Sequence, residues 1–398
     1  MTDLEVIVCL ILFIILAGYG FIILYFTTGL FKLDHASKTT AKNPSQEFKT
    51  LVTIIVPVRN EVKHIFRILE EFRLQDYPSE LFEVIVTDDF SEDNTLAFIK
   101  RFVDLFPEFP LKLITGKSLE SLEYGKKSAI ERAQREAKGE LIVCSDADTI
   151  RQSQWISSIV REYEQSKSQM ILAPVSFRDE KSVFQKIQSL EFMGIMAVTA
   201  GSAAIGKPVM ANGANLSYTK KSFQEIGGFK DNLQYASGDD QFLMSSISKK
   251  FGRSAIGFLY QRQAIVQTWP EDSLKSFFQQ RIRWISKGKG YRDPLIIGVA
   301  MVTYMVHFSL LAGMVFGFFS SSLFFISFFL WIGKILIDYP GVYIMARFFN
   351  KKEMLGYYFI AQVFQLFYVV FIGALGLVLP YRWKGRERNA SARVRSSG

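Results

Sequence analysis

Two carboxylates in this sequence are close enough to each other to share a ligand. Asp146 and Asp148 stand one residue apart, directly after the apolar run LIVC. Such a run is typical of a buried strand in a mostly parallel sheet, where ligands bind just beyond the carboxyl ends of the strands. Two acids at that place could hold a divalent cation. A polar turn with an Asp that caps the next helix is the commoner explanation for such a pair taken alone.

A second acid pair, Asp239 and Asp240, follows a glycine in the stretch SGDDQFLM. The apolar run after it is typical of a helix start, and the helix dipole favours acids in the first turn. Helix capping therefore explains this pair as well as a functional role does. A carboxylate held in a cleft could instead act as the general base for a hydroxyl acceptor.

Polar groups also stand at the predicted ends of two other strands. The stretch TIIVPVRNE brings Pro57 and Glu61 to the end of the first strand, where they could meet a nucleotide base and ribose. A helix N-cap at Asn60 is the simpler explanation for that stretch. The second strand ends at Asp88, and an acid at a strand tip can accept the imide N–H of uracil.

The stretch SLKSFFQQRIRWISKGKG has the pattern of an amphipathic helix directly before a long apolar segment. A helix that lies in the membrane interface accounts for this pattern. It does not account for the spacing of Gln280, Arg283 and Trp284. These three residues are therefore further candidates for the site.

The composition favours a membrane protein. Of 398 residues, 49% are hydrophobic and 37 are Phe, which is a high share for a soluble protein. Two cysteines, Cys9 and Cys144, are too few for a disulfide framework or a Cys-based zinc site. The net charge of +9 comes from basic residues that flank apolar segments, which favours contact with anionic lipid headgroups over nucleic acid.

Short apolar runs and longer helical segments alternate in a βαβ pattern after residue 50, around the candidate residues. We predict strands at Leu51–Val58, Phe82–Asp88, Leu111–Gly116 and Gly139–Asp146. We predict helices at Glu61–Arg73, Asn94–Phe106 and Lys126–Lys138. The sequence lacks both G-x-G-x-x-G after the first strand and G-x-x-x-x-G-K-[ST], which argues against dinucleotide and P-loop chemistry.

Long apolar segments stand on both sides of this region. Leu4–Phe31 is long enough to span a bilayer and lacks a signal cleavage site, so we expect a retained anchor. The later candidates are Pro294–Phe319, Ser322–Phe349 and Tyr357–Pro380. The middle one contains Pro340 and the pair Lys334 and Asp338, which is either a neutralised structural pair or a functional one.

The positive-inside rule gives a conflict of topology. The lysines after the anchor place the N terminus outside and the following domain in the cytoplasm. The basic loop before Tyr357 and the basic tail after Pro380 both favour the cytoplasm, which a single span between them cannot satisfy. Either this segment is re-entrant or the tail breaks the rule.

These features divide the chain into six parts. They are an N-terminal transmembrane helix (1–31), a cytoplasmic linker (32–50), an α/β domain (51–271), an amphipathic interfacial helix (272–293), two or three C-terminal transmembrane helices (294–381) and a basic tail (382–398). We expect an integral membrane protein, in the plasma membrane if the source is bacterial, whose α/β domain is cytoplasmic.

Seven short motifs in order carry a resemblance to a known family. They are VPVRNE, VTDDFSEDNT, GKKSA, SDADT, GANLSY, SGDDQFL and QRIRW. The set resembles the membrane-bound family 2 glycosyltransferases, which include cellulose, chitin and hyaluronan synthases and ceramide glucosyltransferase, over about Leu51 to Tyr291. The resemblance implies a GT-A (Rossmann-like) fold, a nucleotide-diphosphate sugar as co-substrate, a divalent cation and inversion at the anomeric carbon.

The resemblance implies roles for the donor-side residues. Asp88 matches the base-binding acid, Pro57 and Glu61 match residues that line the uridine site, and Lys126 matches a lysine near the nucleotide. A UDP-linked sugar is therefore the expected donor.

The resemblance also implies a metal site. Asp146 and Asp148 match the D-x-D motif that faces the ribose and the diphosphate through the metal. Hard oxygen ligands favour Mg²⁺ or Mn²⁺ over zinc.

On the acceptor side, Asp240 matches the general base of the family. Gln280, Arg283 and Trp284 match Q-x-x-R-W, in which Arg stabilises the departing diphosphate and Trp lines the acceptor terminus. Arg suits this role because its guanidinium binds phosphate oxygens in a bidentate way.

Departures from the family pattern affect the expected acceptor. The chain has one early apolar span, and no F-x-V-T-x-K motif follows the late ones. We therefore expect a lipid or glycan acceptor at the membrane rather than processive polymer export, which stays as the alternative. A nucleotide-binding scaffold without catalysis and a nucleotidyltransferase are the alternatives of other classes.

Overall fold

A computed structural model describes residues 2–39, 47–116, 125–233, 235, 238–383 and 386–388. Residues 40–46 of the predicted linker and most of the basic tail therefore lie outside the described residues. The strands are β1 (Val52–Val58), β2 (Phe82–Asp88), β3 (Leu111–Thr115), β4 (Leu141–Cys144), β5 (Met170–Leu172), β6 (Val175–Phe177), β7 (Leu216–Thr219), β8 (Ile256–Phe258), β9 (Val266–Thr268), β10 (Tyr381–Trp383) and β11 (Arg386–Arg388). The α-helices are α1 (Asp3–Thr39), α2 (Ile65–Arg73), α3 (Thr95–Leu105), α4 (Lys126–Glu136), α5 (Trp155–Ser166), α6 (Val183–Ala204), α7 (Lys220–Glu225), α8 (Asp239–Phe251), α9 (Leu274–Ser286), α10 (Pro294–Phe316), α11 (Ser321–Phe348) and α12 (Tyr358–Leu375).

A seven-stranded mixed sheet forms the α/β region, with the strand order β3-β2-β1-β4-β7-β5-β8. β1 pairs in parallel with β2 and β4, and its apolar side chains are buried. Burial on both faces is what a near-continuous Val and Ile strand requires. β7 runs antiparallel between β4 and β5. Because Val58 is in register with Asp88, the carboxyl ends of β1 and β2 meet at one edge of the sheet.

Two predicted boundaries are wrong by a few residues, each because a turn intervenes. β4 ends at Cys144, and Asp146 lies in a turn in which its carbonyl accepts a hydrogen bond from Thr149 (2.6 Å). The helix predicted from Glu61 begins only at Ile65, whose backbone N–H is bonded to the carbonyl of Glu61 (2.9 Å). Both acids therefore lie on loops between strand and helix, at the sheet edge where ligands bind in α/β folds.

Four helices in the described part of the chain are long and apolar enough to cross a membrane. α1 continues to Thr39, so the first residues read from the sequence as a linker are helical. α11 runs without a break through Pro340. In it, Lys334 pairs with Asp338 (2.9 Å) and also donates to Gln362 and Gln365 of α12 (2.7 Å each).

The last apolar helix, α12, begins beside α6 and ends beside the end of α9. Tyr357, just before it, accepts a hydrogen bond from Lys186 of α6 (3.2 Å). Gly376 and Leu377, just after it, pack against Ile285 and Gly288 at the end of α9. The two ends of α12 therefore contact α6 and the end of α9.

Candidate active site

A cavity of about 1130 Å³ extends from the carboxyl ends of β1 and β4 into the bundle formed by α1, α6, α10, α11 and α12. The structure brings all but one of the predicted site residues to its wall. Those that line it are Pro57, Glu61, Lys126, Asp146, Asp148, Asp240, Gln280, Arg283 and Trp284. Because these residues come from separate loops and helices, their convergence depends on the tertiary fold rather than on local sequence.

Asp88 is the predicted residue that is absent from the described wall of the cavity. Its side chain is 2% exposed, and both of its carboxylate oxygens accept from the N–H of Ser91 (3.2 Å). The next residue, Asp89, does line the cavity, and it accepts a hydrogen bond from the N–H of Gly125 (2.9 Å). We therefore revise the prediction and take Asp89 as the better candidate for the donor-side acid at this strand end.

Lys126 joins the two acid pairs across the cavity. Its ammonium lies 2.8 Å from Asp146 and 3.0 Å from Asp239. Burial disfavours the charged ammonium, but the two carboxylates outweigh burial and raise the pKa of Lys126 well above its usual value. The ammonium is therefore a fixed positive charge between the two pairs, in a position where it could meet a diphosphate.

Asp146 and Asp148 face the cavity with partly exposed side chains. Among the described residues, no group of three or more His, Cys, Asp or Glu side chains could hold a metal ion by itself. Two carboxylates fit a Mg²⁺ or Mn²⁺ ion whose other ligands are water and substrate phosphate oxygens, because Mg²⁺ commonly binds in this way. The residues present therefore suit a metal that binds together with a diphosphate.

Asp240 lies in the first turn of α8, facing the cavity. Its carboxylate accepts hydrogen bonds from the N–H groups of Gly213 (3.1 Å) and Gln241 (2.7 Å) and pairs with Lys287 (3.2 Å). Burial alone would raise the pKa of Asp240, but Lys287 and Lys126 reverse that effect and lower the pKa below its usual value. Asp240 is thus ionised at neutral pH, as a general base must be.

The helix α9 is held by a buried network around Arg281, a residue next to the predicted ones. Arg281 is 4% exposed, forms an ion pair with Glu191 of α6 and stacks against the ring of Trp284 at 4.2 Å. Gln280 donates to Glu271 (2.9 Å). These contacts orient Trp284 toward the cavity, where it lies beside Phe192 (6.4 Å between ring centroids).

The part of the cavity within the bundle is mainly apolar. α10 contributes Ile297 and Met301, which are 41% and 56% exposed. α12 contributes Val369 and Ile372 on the facing wall. A long apolar molecule could therefore lie between α10 and α12 with one end beside Asp146, Asp148 and Asp240.

A polar cluster lies at another part of the same cavity, inside the bundle. Asp338 accepts a hydrogen bond from the hydroxyl of Tyr19 (2.7 Å) and pairs with Lys334. Because these partners satisfy one another, the cluster has the geometry of the neutralised structural pair. It joins α1 to α11.

Three residues of the site were missed from sequence, namely Asp89, Asp239 as a partner of Lys126, and Lys287. A signal existed for Lys287, because it stands four residues after Arg283 and seven after Gln280, on the same helical face. No comparable signal distinguishes Asp89 from Asp88, because both are acids at the same strand end and the contact of Asp89 with Gly125 comes from a distant part of the chain.

Several known proteins are similar to this chain in sequence or in fold. Residues 13–388 match the family described as glycosyl transferase family 21. A poly-beta-1,6-N-acetyl-D-glucosamine synthase of Staphylococcus epidermidis is 20% identical over 371 residues, which cover 84% of this chain and 84% of that protein. An uncharacterized glycosyltransferase of Bacillus subtilis, YfnE, is 26% identical over 119 residues, which cover 30% of this chain and only 28% of the relative.

Among solved structures, the mannosyltransferase PcManGT of Pyrobaculum calidifontis, in complex with GDP-Man and Mn²⁺, is similar to this chain. The TM-score is 0.53 and the identity 17%, and the match covers 92% of this chain and 99% of the other. At this identity the likeness concerns the fold, and it confirms the predicted GT-A architecture.

Proposed function

The chain belongs to glycosyl transferase family 21, and we propose that it transfers a sugar from a nucleotide-diphosphate sugar to a lipid acceptor in the membrane. The observation that carries the proposal is the cavity that joins the acid-rich sheet edge to the apolar walls of α10 and α12. A soluble acceptor would gain nothing from apolar walls inside a helix bundle, whereas a lipid chain would be solvated by them.

The donor would lie at the carboxyl ends of β1 and β4. Pro57, Glu61 and Asp89 would line the nucleoside site, and Lys126 would meet the diphosphate. The mannosyltransferase of similar fold binds GDP-Man. We propose a UDP-linked donor for this chain, on the resemblance of its motifs, and a GDP-linked donor is the alternative.

Asp146 and Asp148 would hold Mg²⁺ or Mn²⁺ together with the diphosphate. When bound, such an ion neutralises the charge that develops on the departing diphosphate. The Arg283 guanidinium, on the cavity wall, would stabilise the same charge from the side of α9.

The transfer would proceed by direct displacement with inversion. Asp240 would accept the proton of the acceptor hydroxyl while the hydroxyl oxygen attacks the anomeric carbon from the face opposite the diphosphate. The bond from the anomeric carbon to the phosphate oxygen breaks, and the nucleoside diphosphate leaves with that electron pair. Trp284 would form the aromatic wall against which the acceptor end rests.

We also place the α/β region in the cytoplasm. At the bundle end next to that region, Arg347 pairs with Asp34, and Lys351 pairs with Glu180. The opposite end carries Glu5, which accepts a hydrogen bond from Ser320. The concentration of basic residues at one end follows the positive-inside rule.

The test is product analysis with purified protein in lipid vesicles. A panel of UDP-linked and GDP-linked sugars is supplied with and without a total lipid extract, and the products are separated into organic and aqueous phases. The proposal predicts a glycolipid that forms only with the extract. Release of free sugar alone, at equal rates with and without lipid, would reject a lipid acceptor.

A processive polysaccharide synthase is the second candidate. The match across 84% of the poly-beta-1,6-N-acetyl-D-glucosamine synthase favours it. The same assay separates the two functions, because a polymer would form a ladder of products in the aqueous phase and need no lipid extract.

A further inference from the structure

An ion pair between Lys287 and Asp240 joins the turn after α9 to the start of α8. The ammonium lies 3.2 Å from Oδ1 of Asp240, and the two side chains are only 14% and 15% exposed. Lys287 belongs to the 3₁₀ turn that continues α9, and Asp240 belongs to the first turn of α8. A pair this shielded is screened weakly by solvent, so its effect on the carboxylate is larger than that of a surface pair.

The backbone next to Asp240 leaves room for the lysine stem. Gly238, which precedes α8, has φ of +86°, and a Cβ at this position would lie 3.0 Å from Cδ of Lys287. A side chain there would be strained by the backbone and would crowd the lysine. Glycine at 238 thus permits the close approach of Lys287 to the base.

The hydrogen bonds of Asp240 are divided unequally between its two oxygens. Oδ1 receives the N–H of Gln241 (2.7 Å) and the ammonium of Lys287 (3.2 Å). Oδ2 receives the N–H of Gly213 (3.1 Å). Because each carboxylate oxygen offers about two acceptor positions, Oδ2 keeps one position for an incoming hydroxyl.

Lys287 acts on Asp240 together with several other charges. The titratable groups that face Asp240 are Lys287 and Tyr291 from the segment after α9, Lys126 and Lys127 from α4, and Asp239 from α8. Lys126 is already shared between Asp146 and Asp239. Lys127 donates to the carbonyls of Asn232 and Tyr235 instead. Lys287 is therefore the cation in direct contact with Asp240.

We propose that Lys287 is a positioning residue for the transfer, which fixes Oδ1 of Asp240 and keeps the carboxylate ionised so that Oδ2 accepts the acceptor proton. This inference rests on the proposed function of Asp240 as the base. It adds a residue to the machinery of α9, since Gln280, Arg283 and Lys287 lie on one helical face. That face then carries Arg283, which would stabilise the diphosphate, and Lys287, which would position the general base Asp240.

The test compares Lys287→Met with Lys287→Arg and with the control Lys289→Met, which removes the same charge from an exposed position in the same turn. The measurement is the pH dependence of kcat/KM for the lipid acceptor at saturating donor. The base must be unprotonated, so the rate falls as the pH drops through the pKa of Asp240. Without Lys287 the pKa of Asp240 rises. The acid limb, which is the part of the kcat/KM profile that falls at low pH, then moves to higher pH by about 1–3 units, as expected for loss of an adjacent opposite charge.

Lys287→Arg keeps the charge and should leave the acid limb near its wild-type position, as should Lys289→Met. Displacement of a fluorescent nucleotide by UDP or GDP checks that each variant is folded. An unmoved limb in Lys287→Met would overturn the inference. If the donor KM rises at the same time, Lys287 is instead a ligand of the diphosphate.

The variant Asp240→Asn separates this inference from the function on which it rests. If Asp240→Asn transfers sugar at the wild-type rate, the assignment of the base fails and the inference fails with it. If Asp240→Asn is inactive and Lys287→Met has a wild-type profile, the inference alone is overturned.

Discussion

The Lys126 ammonium and the Asp146 carboxylate form an ion pair of 2.8 Å, just beyond the carboxyl end of β4. The carboxylate proposed for the metal is therefore already neutralised in part by an ammonium. A divalent cation has to share Asp146 with Lys126, and the diphosphate would supply the negative charge that makes this sharing favourable. Donor and metal are therefore expected to bind together.

The first prediction concerns metal dependence. EDTA should abolish transfer and added Mg²⁺ or Mn²⁺ should restore it, because Asp146 and Asp148 supply two hard oxygen ligands and the diphosphate would supply the others. Electron paramagnetic resonance of Mn²⁺ should detect tight binding only when UDP or GDP is present. Asp148→Asn should weaken that binding, whereas Asp104→Asn on the exposed face of α3 should not. Full transfer in EDTA would exclude the metal role.

The second prediction is that α12 is a re-entrant segment, because basic residues stand on both sides of it. In a background without Cys9, Glu353→Cys places a thiol before α12, and Phe319→Cys places one in the exposed turn between α10 and α11. A membrane-impermeant maleimide should label position 353 from the same side as an antibody reaches a C-terminal tag. It should label position 319 from the opposite side. Labelling of position 353 and the tag from opposite sides would mean that α12 crosses the membrane.

Particular residues show how far the sequence could predict the site. The place of Asp146 beyond a buried strand followed from the apolar run before it, because that run of four residues is uninterrupted. The orientation of Asp88 did not follow, because the choice between Asp88 and Asp89 depends on a contact with Gly125, from a distant part of the chain. Lys287 and Asp240 are separated by 47 positions, so their pairing also required the tertiary structure.

The helix bundle gives a further example of this limit. The sequence predicted four apolar segments, and the structure has helices at all four. Whether Tyr357–Pro380 spans or re-enters depends on what its two ends contact. Those contacts, from Lys186 of α6 and from Ile285 at the end of α9, are not encoded in hydropathy.

The third prediction separates the two roles on α9. Arg283→Ala should lose both transfer and the slow hydrolysis of the sugar nucleotide, since both reactions need the leaving diphosphate to be stabilised. Trp284→Ala should lose transfer but keep hydrolysis, because water needs no aromatic wall. Lys275→Ala, at an exposed position on the same helix, serves as the control. Normal transfer by Trp284→Ala would leave Trp284 only as a membrane anchor.

If Asp240 removes the proton of the acceptor hydroxyl, its replacement in Asp240→Asn should slow the transfer itself. The measurement is single-turnover transfer to the lipid acceptor, together with the affinity for UDP or GDP. We expect the rate to fall by about 10²–10⁴-fold, the range for loss of a general base, while the nucleotide affinity stays near the wild-type value. A wild-type rate, or a loss of rate that is explained by an equal loss of nucleotide affinity, would contradict this role of Asp240.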